Sequence, residues 1–178
     1  MSQLLKRLPI LPAERALKVM EGTTSTSFAA DLKKWHQIMQ AYETGSHAYH
    51  ATMPTMALLD LRHNMAETKA RGFEAVRQQQ IALGQKVRAL LESRGLPSVA
   101  AEGFKAPGVV VSYTTDPDVQ NAKKFLAVGI QAAAGVPLMC DEPADFSTFR
   151  LGLFGLDKLR DVAGTVARLE AALQAMGL

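Results

Sequence analysis

An α/β domain with an open sheet packed by helices, preceded by a long connecting helix, is the fold that this sequence predicts. Three observations predict it. Between Pro54 and Gly95, apolar residues return at three- and four-residue intervals, the spacing of helix faces. A β-branched run, Val109-Val110-Val111-Ser112-Tyr113, follows between turn-forming Pro107-Gly108 and Asp116-Pro117. The chain then closes on a long apolar stripe at helical spacing. Helix, strand, helix, strand, strand and helix in so short a span call for a sheet covered by helices.

The elements follow in chain order. Residues 13–21 read as a short helix closed by Gly22, and the polar run 23–27 as a loop. A second helix starts at Asp31, with Leu32, Trp35 and Met39 on one face and Trp35 in the core. Residues 43–54 are rich in breakers and in hydrogen-bonding side chains, a loop with chemistry available to it. In the long tract Leu58, Leu61, Arg62 and Met65 share a side. Gly72 marks a bend, and Phe73, Val76, Gln80, Leu83, Val87, Leu90 and Leu91 resume the pattern. Asp116 as N-cap and Pro117 at the first helical position start another helix, turning Val119, Ala122, Phe125 and Leu126 inward. Residues 130–139 read as strand or extended chain, and 148–155 as a strand running into a turn. Asp157 can cap a last helix whose stripe is Leu159, Val162, Val166, Leu169, Leu173 and Met176. The expected organisation is 1–54 as the remnant of a larger domain and its loop, 55–95 as connecting helix, and 96–178 as the α/β domain.

Composition removes several function classes. With 178 residues, 48% hydrophobic and 21% charged, the chain is globular in character. Its net charge of +3 arises from 20 basic and 17 acidic residues spread along the chain, with no basic run longer than a pair. That is a poor footprint for nucleic acid. No apolar run approaches the ~20 residues of a membrane span, and the first 12 residues lack a secretory pattern. The lone Cys140 makes no internal disulfide, so no disulfide framework dictates the compartment, and without a span or a secretory pattern the expected location is cytoplasmic. Cys140 lies beside Asp141 and Glu142, a setting that disfavours the thiolate a nucleophile needs. His47 and His50 offer two metal ligands with no third at suitable spacing, so no metal is expected.

Two stretches remain. One is Tyr49-His50-Ala51-Thr52-Met53-Pro54 followed by Leu58-Leu59-Asp60-Leu61-Arg62; the other is Phe149-Arg150-Leu151-Gly152-Leu153-Phe154-Gly155. Read alone, Tyr49 and Thr52 are loop residues, Arg150 is a surface or salt-bridged arginine, and the glycines end a strand without forming a phosphate loop. Together, in this order, they resemble the class V pyridoxal-phosphate (PLP) aminotransferases of the alanine–glyoxylate and serine–pyruvate group. The resemblance runs from about Glu14 to Met176.

That resemblance implies the C-terminal small domain of a fold-type I PLP-dependent transferase. It implies that Arg150 grips the substrate α-carboxylate, a task suited to a planar guanidinium with two parallel donors. It implies that Tyr49 and Thr52 donate hydroxyl hydrogen bonds to the cofactor phosphate of the neighbouring subunit, making the parent enzyme a homodimer. The family's Schiff-base lysine has no counterpart here. Lys6 is near the place but has the wrong neighbours. Lys105, in Phe104-Lys105-Ala106-Pro107-Gly108, mimics the pattern on the small-domain side and is read as a decoy. The residues that stack on the cofactor ring and pair with its nitrogen are absent too.

The expected function is therefore the C-terminal portion of an aminotransferase for small amino acids, of alanine or serine type, with glyoxylate or pyruvate. It is expected not to be catalytic alone. The alternative is a non-catalytic interaction or dimerisation module on the same fold. With its partner domain missing, Leu4, Leu5, Leu8, Ile10 and Leu11 would form a sticky surface.

Overall fold

The computed structural model describes residues 13–52 and 54–178, which form two compact units that divide between Ala66 and Glu67. Lys6 and the apolar residues Leu4, Leu5, Leu8, Ile10 and Leu11 lie outside the described residues.

The first unit is helical. Helix α1 covers Glu14–Glu21 and ends at Gly22; α2 covers Leu32–Glu43. Asp31 caps α2 by accepting the Lys34 amide at 3.0 Å, which satisfies one of the unpaired donors of a helix start. Helix α3, Thr55–Arg71, begins in this unit and continues into the second. Leu32 and Met39 stay exposed and Trp35 is half-buried, whereas Ile38 is buried. The expected inward face of α2 is thus corrected: Ile38 is its buried residue, Trp35 is half-buried, and Leu32 and Met39 are exposed.

The second unit holds the core. Gly72, at φ +87°, separates α3 from α4, Phe73–Ser93. A left-handed backbone costs glycine nothing, so the bend falls there. Strand β1 is Val109–Tyr113; α5, Pro117–Gln120, and α6, Lys123–Ala127, follow it. Strand β2, Ala133–Ala134, and strand β3, Thr148–Gly152, complete a three-stranded antiparallel sheet in the order β1-β3-β2. Helix α7 is Leu156–Arg160 and helix α8 is Val162–Ala175.

Period-two alternation sorts the sheet into two faces. Val110, Ser112, Phe149 and Leu151 are buried with α4, α7 and α8 around Leu83, Val87, Leu91, Leu159, Leu169 and Leu173. Phe125 and Phe149 meet at 5.2 Å between ring centroids, a tilted pair worth about 0.5–1.5 kcal/mol beyond its burial. The opposite face presents Val111, Arg150 and Ala133, opposite one another in register. The outer edge of β1 is covered by 97–99: Tyr113 donates to the Pro97 carbonyl and Val99 to that of Val111.

Three expectations are corrected here. Ala122 adopts a left-handed conformation, φ +66°, which splits the helix after Asp116 and turns Leu126 out to solvent. Only Ala133–Ala134 of the 130–139 stretch pairs as strand. The last long helix is capped by Asp161, which accepts the Gly164 amide at 2.8 Å; Asp157 lies inside the short α7.

Candidate functional site

Arg150 sits at the centre of β3, the middle strand. Val111 pairs with it on one side and Ala133 on the other. Its Nε donates to the Ala134 carbonyl at 3.0 Å. Among the described residues, no acceptor or carboxylate is bonded to Nη1 or Nη2. A solvent-accessible guanidinium held by its Nε, with both terminal nitrogens open, can take a carboxylate through two parallel bonds.

Tyr49 and Thr52 belong to the first unit. Their hydroxyls lie 3.3 Å apart, within hydrogen-bonding reach, and both side chains are exposed. The loop carrying them is anchored by His50, between the two. Its Nε2 faces the Phe28 carbonyl at 2.9 Å, and since a carbonyl only accepts, Nε2 carries the proton. The ring also rests on Phe28, at 4.4 Å between centroids, and meets the edge of Trp35 at 5.2 Å. Trp35 in turn donates through Nε1 to the Ala29 carbonyl at 2.9 Å. His50 therefore orients Tyr49 and Thr52, a role that sequence reading missed because a carbonyl 22 residues away leaves no local signal.

His47 packs edge-on against Tyr42. Among the described residues, no group of three or more His, Cys, Asp or Glu side chains comes together as metal ligands would. No described helix is long and apolar enough to cross a membrane. Cys140 is exposed in the 135–146 segment, where Met139 and Asp141 both hold positive φ. Glu142 ties this segment by accepting the Met139 and Cys140 amides at 2.9 and 2.8 Å. The amides of Cys140, then Met139, hold its pKa down at about 2.

Lys105 is engaged with Glu102 at 3.0 Å and Glu92 at 3.8 Å. The Glu102 hydrogen bond and charge push its pKa up. A lysine that forms a covalent bond to a carbonyl cofactor needs the opposite, a neutral amine favoured by desolvation or neighbouring cations. Its setting does not fit that task.

No family model matches the chain. A sequence relative is described as a soluble hydrogenase, small subunit, of Synechococcus sp. (strain PCC 6716). It is 24% identical over 165 residues, covering 92% of this chain and 40% of that protein. Two solved structures share its fold. One is an alanine–glyoxylate aminotransferase from Nostoc sp., with a TM-score of 0.69 at 17% identity, covering 90% of this chain and 42% of that one. The other is a ureidoglycine–glyoxylate aminotransferase from Bacillus subtilis, with a TM-score of 0.67 at 19% identity, covering 93% and 42%. The chain thus spans about two-fifths of the length of these proteins. It has the mixed α/β fold of the C-terminal part of the glyoxylate aminotransferase structures.

Proposed function

We propose that this chain is the C-terminal portion of a PLP-dependent aminotransferase acting on small amino acids, of alanine or serine type, with glyoxylate or pyruvate. The observation that carries the proposal is Arg150, held by its Nε on the sheet face with both terminal nitrogens open. It occurs in a fold shared with two aminotransferases for glyoxylate.

The residues present fit the cofactor in part. The paired hydroxyls of Tyr49 and Thr52 suit a phosphate, which takes several donors. Lys105 does not suit the covalent attachment, for the reason given above. PLP, when bound, supplies the electron sink for amino transfer. This chain's part is to hold the substrate carboxylate at Arg150 and to donate hydroxyl bonds from Tyr49 and Thr52 to a neighbouring subunit's cofactor. The reactive lysine and the ring-binding residues must then come from elsewhere. On this reading the chain is inactive alone, its parent enzyme is a homodimer, and its location is cytoplasmic.

A second reading is a non-catalytic interaction module on the same fold. What favours it is the first unit's surface, where Val19, Phe28, Leu32, Met39, Tyr42, Met56 and Met65 are all exposed. Exposed apolar side chains make a binding face where they adjoin one another.

The test is a transaminase assay with alanine or serine as donor, glyoxylate or pyruvate as acceptor, and PLP in excess. The chain alone is expected to give no turnover, and turnover is expected once a lysine-bearing cofactor domain of the same fold type is added. Turnover by the pure chain would overturn the first reading's claim of inactivity. No turnover with any complementing domain would favour the second.

A further inference from the structure

Gly135 follows β2 at the point where the chain passes closest to β3. A Cβ on it would stand 1.9 Å from the Thr148 carbonyl oxygen and 2.6 Å from both the Thr148 carbonyl carbon and Oγ1. Two of those three atoms are backbone and cannot swing aside, so no residue with a side chain fits without moving a strand. The position is held from its other side as well. Its amide donates to the Gln120 carbonyl at 3.2 Å, and the Gln120 side-chain amide faces its carbonyl at 3.5 Å.

The neighbour gains from this closeness. Ala134, immediately before Gly135, is the residue whose carbonyl accepts Arg150 Nε at 3.0 Å. An arginine can grip a carboxylate side-on, through Nε and one terminal nitrogen, or end-on, through Nη1 and Nη2. Once Nε is committed to a backbone carbonyl, only the end-on grip remains. The same bond fixes the direction of Nε–H and so restricts how the guanidinium can turn.

We propose that Gly135 is a positioning residue. By allowing β2 to close on β3, it delivers the Ala134 carbonyl to Arg150 Nε and so commits Arg150 to hold a carboxylate end-on. The proposal rests on the reading of Arg150 as the carboxylate grip. Gly135 touches no ligand itself; it acts through the orientation of Arg150.

The experiment is guanidinium NMR on the full ¹⁵N-labelled chain, with the Arg150 resonances assigned by their loss in Arg150→Lys. Sodium glyoxylate is the probe and sodium chloride the ionic control. Before any ligand, the Arg150 Nε–H signal is expected to be shifted and protected from exchange by its carbonyl partner. On adding glyoxylate, both Nη signals should move while Nε stays in place. In Gly135→Ala the Nε signal should lose its protection, and glyoxylate should bind at least about tenfold more weakly, near 1.4 kcal/mol. Should Gly135→Ala fail to fold, the wild-type Nε and Nη pattern decides the matter by itself. An unprotected Nε in the free chain, or Nε moving together with a single Nη, would overturn the Gly135 proposal and leave Arg150 as the grip. No Arg150 signal moving with glyoxylate, beyond the chloride control, would overturn the grip and the proposal with it.

Discussion

Gly84 on α4 lies against Pro107, so close that a Cβ there would stand 2.7 Å from the Pro107 carbonyl oxygen and 2.8 Å from its Cα. Around this contact Gln80 donates to the Pro107 carbonyl and Arg88 to those of Ala106 and Val109. One face of α4, read at positions 80, 84 and 88, thus fastens the segment that leads into β1. The sheet bearing Arg150 hangs on that fastening, through the β1–β3 pairing.

Gly84→Ala is the first consequence. Alanine favours a helix over glycine by about 1 kcal/mol, but the clash here is with backbone, and overpacking costs roughly 1–3 kcal/mol. A net loss of stability is expected, seen as a lower midpoint in urea. A higher midpoint would show that the contact can relax.

Arg88 is only 5% exposed, and burial pushes its pKa down. Among the described residues its Nε has no hydrogen-bond partner, yet its Nη2 serves two carbonyls. Arg88→Ala would strand those carbonyls and leave a cavity, so a loss of about 2–4 kcal/mol is expected by denaturant unfolding. Arg88→Met, which keeps the bulk, should cost less. Equal losses in the two variants would remove the cavity from the explanation.

Ser112 predicts the opposite sign. Its hydroxyl is buried on the core face of β1 and has no hydrogen-bond partner among the described residues. Ser112→Ala removes an unsatisfied group and should raise stability by about 1 kcal/mol. A fall in stability would mean that the hydroxyl has a partner.

The 135–146 segment should respond to acid. The Glu142 pKa is lowered from 4.5 to about 2 by the amides it accepts. A depressed pKa in the folded state stabilises above the unfolded value, and that contribution fades as pH falls towards the folded one. The Met139 and Cys140 amide shifts should therefore titrate with a midpoint near 2, and the transition should vanish in Glu142→Gln. A midpoint at the ordinary carboxylate value would remove the amide bonds from the account.

The sequence was most informative where local chemistry and burial agree. Asp116 and Pro117 start a helix as their types dictate. Leu169 and Leu173 on α8, Met176 at its end and Leu159 on the short α7 before it are all buried, because both helices pack on α4. Legibility failed where the deciding partner is distant. Nothing near Ala122 signals its left-handed turn, and Asp157 and Asp161 are equal as caps until packing selects one. Leu32 and Met39 carry the right period for a core face, but period does not reveal whether another surface covers it. At the candidate site the motifs drew attention to Arg150, Tyr49 and Thr52. The residues that orient them, His50 and Gly135, act through carbonyls remote in sequence and left no pattern to read.

On the function proposed above, this chain carries the carboxylate grip of an aminotransferase without a lysine able to hold the cofactor. Its most direct test is borohydride reduction of the pure chain with excess PLP, followed by peptide mapping, since reduction fixes any lysine–PLP linkage as a stable mass increase. Scattered labelling or none is the predicted result. Stoichiometric labelling of one lysine, Lys6 or Lys105 included, would contradict the account and show that the chain has a cofactor site of its own.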